Sequence, residues 1–232
     1  MSAIATLAAS AGTKGLPRAG GRFITFEGGE GGGKTTQLQH LAARLRALGV
    51  DVTTTREPGG TPIAESIRRF LLEGAAKPLG PDAETVLFAA ARADHIEKLI
   101  RPALASGHWV LCDRFIDSTR AYQGTAGVDP ALIRALERVA VWPFWPDLTI
   151  ILDLPAEIGL RRAAARSGAG PDRFEGDDLG EHQRRRQAFL DIAAAEPERC
   201  LVVDATRPEE EVADAIWHAV TDRLVTDEVD GG

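Results

Sequence analysis

Residues 28–35 read Gly-Gly-Glu-Gly-Gly-Gly-Lys-Thr, a full G-x-x-x-x-G-K-[ST] pattern, and no other stretch of the chain limits its fold so strongly. The apolar run Phe23 to Phe26 precedes it and a segment with helical spacing, Lys34 to Leu48, follows it. That strand, loop and helix order is what the pattern needs to work. Glycines let the backbone curl until consecutive N–H groups converge on phosphate oxygens, and the following helix adds its positive end. The candidate cradle is therefore Gly28, Gly29, Glu30, Gly31, Gly32, Gly33, Lys34 and Thr35. In it Lys34 can reach the β and γ phosphates of a nucleoside triphosphate, and the Thr35 hydroxyl can ligate Mg²⁺.

The remaining chain supplies the rest of an α/β fold. Arg22 to Glu27, Val50 to Thr55, His108 to Asp113, Leu148 to Asp153 and Cys200 to Asp204 read as five short strands. Between them lie helical stretches at Pro62–Leu72, Pro81–Leu104, Pro130–Val141, Ala156–Arg166, Leu179–Ala195 and Pro208–Leu224. Alternation of this kind predicts a three-layer α/β/α sandwich around a five-stranded parallel sheet. With 232 residues, one domain over 22–225 suffices. Residues 1–21, rich in Ala, Gly and Ser and without a basic start, read as a disordered extension, and 226–232 as a frayed tail.

Charge narrows the partners. A formal net charge of −7 argues against nucleic acid held by bulk electrostatics, so an anionic ligand must be gripped locally. Cys112 and Cys200 sit in apolar runs without metal-ligand spacing and read as buried thiols of a reducing, cytoplasmic protein. No stretch has the roughly 18 apolar residues of a membrane span.

Five further stretches carry chemistry. The third strand ends Asp113-Arg114-Phe115, which puts a carboxylate and a guanidinium at the carboxyl edge of the sheet. The first can hold Mg²⁺ or orient an oxygen, and the second can clamp a phosphate. Phe88 and Arg92 are spaced i, i+4, off the apolar stripe of Val86, Ala90, Ala93, Ile96, Ile100 and Leu104. They suit stacking on a flat base and hydrogen bonding to its edge, and equally a buried ring beside a salt bridge; spacing leaves both open. Thr55-Arg56-Glu57-Pro58-Gly59-Gly60-Thr61 and Ser118-Thr119-Arg120-Ala121-Tyr122-Gln123-Gly124 read as loops converging on the same edge. Ser167 to Asp178, flanked by Arg161, Arg162 and Arg166 and by Arg184, Arg185 and Arg186, reads as a basic flap, with the lid spanning about 161–186.

Together these motifs resemble the thymidylate kinase family: FEGGEGGGKTT from Phe26, TREPGGT from Thr55, LFAAARADH from Leu87, DRFIDSTRAYQG from Asp113, PDLTIILDLP from Pro146, PDRFE from Pro171 and VDAT from Val203. The resemblance implies ATP and dTMP as substrates with Mg²⁺ as cofactor. It implies that Thr35 and Asp113 attend the metal and that Lys34, Arg114, Asp113 and a flap arginine are catalytic. Positions 29–32 hold no arginine, so Arg166 is the first candidate, followed by Arg162 and Arg173. By the same resemblance Phe88 stacks on thymine, Arg92 donates to its O4, Tyr122 crowds the 2′ position and Glu30 lies near the 3′-hydroxyl. Arg56, Arg114, Thr119 and Gln123 complete the acceptor site. The family also implies a homodimer built on helices, for which the faces around Val86–Leu104 and Leu132–Val141 leave room. Phe115 stands where relatives often carry Tyr or His, so any side-chain hydrogen bond made there is absent. Two rival readings stay open on the residues alone: a deoxynucleoside kinase with Glu57 or Asp113 as base, and an ATP-dependent switch protein without transfer chemistry.

Overall fold

The computed structural model describes residues 20–165 and 176–225. The expectations for 1–19, for 226–232 and for Arg166 and Arg173 in the flap lie outside them. The sheet contains β1 (Phe23–Glu27), β2 (Val52–Arg56), β3 (Trp109–Asp113), β4 (Leu148–Asp153) and β5 (Cys200–Asp204). They pair in the order β2-β3-β1-β4-β5, and every pairing is parallel. This is the five-stranded parallel sheet expected from the alternating pattern.

Helices cover both faces, as a parallel sheet requires. On one side α1 (Lys34–Ala47) and α9 (Glu209–Leu224) pack Leu38, Leu41, Leu45, Ile216 and Val220 onto Ile24, Leu111 and Ile150. On the other, α4 (Arg101–Ala105), α5 (Ile116–Thr125) and α8 (Leu179–Ala195) lie over Phe23, Val110, Cys112 and Ile151, and α3 (Pro81–His95) and α6 (Pro130–Ala140) pack against α5 and each other. Two further helices, α2 (Pro62–Leu72) and α7 (Ala156–Ala164), follow β2 and β4. The Cys112 and Cys200 thiols are buried and free.

Two expectations need correction. The helical stretch over 81–104 is present, but it is not a regular α-helix throughout. A π turn at Ile96–Ile100 separates α3 from α4, and the extra residue in that turn shifts the phase of the helix. Ile96 and Ile100 face the core, but Val86 is 46% exposed and Ala90 is exposed, so the apolar stripe fails in its first half. The buried side of α3 carries Glu84, Thr85, Arg92 and His95 instead. Nor is 118–124 a loop: it lies within α5. Asp117, Thr119 and Gln123 are all buried on that helix, and a helix whose hidden face is polar gives no apolar periodicity to read.

The arrangement positions a site. β1 lies between β3 and β4, where the chain order reverses direction, and open α/β sheets bind ligands outside the carboxyl ends of such strands. The glycine loop leaves β1 there, beside the ends of β2 at Arg56 and β3 at Asp113.

Candidate active site

The loop is held in a tight curl. Gly31 has φ 68° and sits so close to α7 that a Cβ would lie 2.0 Å from the Gly159 carbonyl oxygen, so only glycine fits. Lys34 opens α1, and its ammonium turns back to donate to the carbonyls of Gly28 (3.2 Å) and Gly29 (2.8 Å). Burial, with the nearby Arg114 cation adding to it, lowers the Lys34 pKa to about 8, although Glu30, Asp113 and Glu27 pull the other way. A ligand bringing negative charge to the loop restores what the ammonium lost on burial. Thr35 donates to Asp113 Oδ2 at 2.5 Å across from the end of β3. A hydroxyl and a carboxylate oxygen suit a hard divalent cation that shares its shell with phosphate and water. No group of three His, Cys, Asp or Glu forms a protein cage among the described residues.

Arg114 is the pivot between loop and acceptor side. Its φ of 67° is left-handed, a conformation that costs a non-glycine residue roughly 1–3 kcal/mol and persists where surroundings enforce it. Here its N–H donates to Phe26 O, and its guanidinium reaches Gly28 O, Ser118 Oγ and Glu30 Oε1. The Tyr122 hydroxyl donates to the same Glu30 oxygen at 2.5 Å, and the Arg114 guanidinium lies 5.0 Å from the Tyr122 ring centre. Burial opposes ionisation of Glu30, but Arg114 and Lys34, with the Tyr122 hydroxyl, outweigh it and hold the pKa at about 2.

Beneath this group lies Glu27, a residue that sequence reasoning passed over. Its carboxylate accepts from the N–H groups of Phe115 and Ser118 and from the Ser118 hydroxyl, so it caps α5 and anchors the turn carrying Arg114. Complete burial, reinforced by Asp117, raises its pKa to about 7. The available signal was an acidic residue ending a strand in which every other residue but Thr25 is apolar.

A cavity of about 430 Å³ runs from the glycine loop to α3, within the rough 300–1,000 Å³ range of small-molecule sites. Phe88, Arg92, Arg56, Thr119, Tyr122 and Gln123 all line it, so the residues proposed for an acceptor do converge. Arg92 is 3% exposed and firmly held: Nε donates to Glu57 Oε2 (2.7 Å), and Nη2 to Phe115 O (3.1 Å) and Thr119 Oγ1 (3.0 Å). Thus the buried salt bridge and the cavity-lining position, alternatives on spacing alone, coexist. Phe115 contributes through its backbone carbonyl, while its ring packs edge-on against Phe23 at 4.9 Å. Glu57 is 5% exposed and gives its other oxygen to His95 Nδ1 (2.9 Å), whose Nε2 meets Thr55 Oγ1 (2.8 Å). A carboxylate committed on both oxygens is a poor candidate for a general base. Arg56, over half exposed, pairs with Glu65 at the cavity rim.

The flanks of the flap are partly tied down. Arg162 lines the cavity and donates to Ala205 O at 2.7 Å. On α8, Arg184 pairs with Glu181, Arg185 with Asp177 and Arg186 with Asp153, so these three arginines are engaged on a helix rather than in a loop.

Comparison with known proteins bears on this geometry directly. The family model described as thymidylate kinase matches residues 26–216, the span from the glycine loop to the last helix. The chain belongs to the thymidylate kinase family. It is 59% identical over 207 residues to the thymidylate kinase of Bradyrhizobium diazoefficiens, covering 88% of this chain and 91% of that one. It is 56% identical over 218 residues to that of Nitrobacter hamburgensis, covering 92% and 95%. The crystal structure of thymidylate kinase from Ehrlichia chaffeensis superposes with a TM-score of 0.69 at 36% identity, over 87% of this chain and 99% of that one. Every thymidylate kinase motif read from the sequence except the PDRFE flap segment lies among the described residues.

Proposed function

We propose that this thymidylate kinase family member phosphorylates dTMP to dTDP with ATP, and that the two nucleotides meet end to end in the cavity between the glycine loop and Phe88. The convergence of Lys34, Arg114 and Glu30 at one end with Phe88 and Arg92 at the other, inside one cavity, carries this reading.

In the proposed reaction an oxygen of the dTMP phosphate attacks the γ-phosphorus of ATP, the bond to the β,γ-bridging oxygen breaks, and ADP leaves. The attacking oxygen is already anionic, so no strong base is required, which fits a site whose carboxylates are all engaged. Catalysis then rests on positioning and on charge. The loop amides and Lys34 hold the triphosphate, and Arg114 exchanges Glu30 for the acceptor phosphate. With Thr35 and Asp113 as its oxygen ligands, Mg²⁺ supplies neutralisation of the charge that builds on the transferred group. Phe88 stacks on thymine, Arg92 donates to its O4, Tyr122 disfavours a 2′-hydroxyl and Glu30, released by Arg114, addresses the 3′-hydroxyl. Arg56, Thr119 and Gln123 complete the wall, and Arg166 is proposed as the arginine that stabilises the transition state.

A homodimer through α3 and α6 is part of the same reading. Val86 on α3, Val139 on α6 and the adjoining Trp142 are 46%, 83% and 71% exposed, on two helices that pack against each other, and this exposed apolar side is the one the reading assigns to the partner subunit. None of the helices described is long and apolar enough to cross a membrane, and the two free thiols suit the cytoplasm.

The test is an ATP-dependent screen of the common nucleoside monophosphates and of thymidine, read by product identity. The reading expects dTDP from dTMP as the dominant product. Transfer to thymidine, or ATP turnover indifferent to every monophosphate, contradicts it.

A further inference from the structure

We propose that His95 is a positioning residue for base recognition, acting through Glu57 to fix the guanidinium of Arg92 at the acceptor end of the cavity. The proposal rests on the reading that Arg92 meets the acceptor base.

The observation behind it is an unbroken chain, Thr55–His95–Glu57–Arg92, with links of 2.8, 2.9 and 2.7 Å and with its last three members buried. Its members come from β2, the loop after it and α3. His95 is fully buried, Glu57 is 5% exposed and Arg92 is 3% exposed. An ionised Glu57 can only accept, so His95 presents its Nδ1–H to that carboxylate; in the neutral ring Nε2 then accepts from the Thr55 hydroxyl. The ring orientation is thus set from both sides, and so is the plane of the carboxylate that receives Arg92 Nε. The chain has been shaped around this ring. Gly60, with φ 88°, passes so near that a Cβ would lie 2.5 Å from His95 Nε2 and 2.6 Å from Thr55 Oγ1.

The chemistry of the base explains why such bracing matters. Thymine presents a carbonyl acceptor at position 4, where cytosine presents an amino donor. A guanidinium has donors only, so it attracts the first and repels the second, provided its plane is held toward that edge. A rotated Arg92 stays charged and still packs on the Phe115 ring, 5.2 Å away, but it discriminates less. Loosening the His95 chain should therefore cost selectivity before it costs turnover.

The experiment measures equilibrium binding of dTMP and dCMP by calorimetry to the wild-type chain and to Thr55→Val, His95→Gln and Arg92→Met, with melting curves for each and with kcat at saturating dTMP and ATP. The preference for dTMP over dCMP is expected to fall about fivefold in Thr55→Val and about tenfold or more in His95→Gln. For both variants kcat should stay within about threefold of wild type, with KM for ATP unchanged. A preference unchanged in folded Thr55→Val overturns the proposal; that near-isosteric change on a half-buried edge strand keeps the test available even where His95→Gln does not fold. A loss of kcat and of both KM values together, with selectivity intact, also overturns it, since that is what a purely structural role gives. Arg92→Met separates the two levels. If it retains the preference, the assignment of Arg92 to the base is wrong. If it loses the preference while the other two variants keep it, only the role of His95 fails.

Discussion

Glu27 offers a sharp quantitative test because its carboxylate is buried beneath the turn that carries Arg114. Burial, together with Asp117, lifts its pKa from 4.5 to about 7, while Ser118, Arg114 and the Phe115 N–H restrain the rise. In the unfolded chain the same group titrates near 4.5. Between those two values the native state binds the extra proton, so stability falls as pH rises from about 4.5 through about 7 and is lowest above it. At about 1.4 kcal/mol per pH decade the full cost of ionising Glu27 in place is roughly 3 kcal/mol. Glu27→Gln keeps the shape and the acceptor for the Phe115 and Ser118 N–H groups, and its amide can donate to a reoriented Ser118 hydroxyl. The variant therefore mimics the protonated acid. Urea denaturation at pH 5 and at pH 8 should show near-equal stabilities at the lower pH and a variant more stable by up to roughly 3 kcal/mol at the higher one. A difference that does not change with pH, or one that grows toward pH 5, refutes the reasoning.

The other predictions concern the cavity and the loop. Phe88→Ala should raise KM for dTMP by about tenfold, from base stacking worth roughly 1–3 kcal/mol, and leave KM for ATP unchanged in steady-state kinetics. Gly31→Ala forces a Cβ to within 2.0 Å of Gly159 O, so ATP binding measured by calorimetry should be lost while the thermal transition survives. Arg166→Ala should lower kcat by about 10³-fold or more, and unchanged turnover reassigns the transition-state arginine to Arg162 or Arg173. If the proposed homodimer forms through this face, sedimentation should show dimers for the wild-type chain and monomers for Val139→Glu with Trp142→Ser, and equal masses for both contradict it.

Much of this was legible in residue order because local and global signals agree there. The glycine loop declares its own strand and helix, and the five short runs bounded by turn residues, alternating with helical stretches, give the parallel sheet directly. Asp113 and Arg114 fall at a strand end, which fixes their place on the sheet edge. What stayed hidden depends on burial of polar groups. The helix carrying Thr119, Tyr122 and Gln123 hides a polar face, so its period cannot be read from apolar residues. The core stripe through Val86 failed because a π turn, which no simple period anticipates, changes the phase at Ile96. Glu27, Glu57 and His95 act by long-range hydrogen bonds, and only the folded chain brings their partners within reach.

The most direct measurement is a crystal structure of the protein with a bisubstrate ligand in which thymidine and adenosine are joined by five phosphates. The account predicts phosphates wrapped by residues 28–35 with Lys34, Arg114 turned from Glu30 onto the phosphate next to thymidine, and the thymine ring flat against Phe88 with O4 toward Arg92. Thymidine bound outside the cavity, or Arg114 still paired with Glu30 in the occupied site, contradicts it.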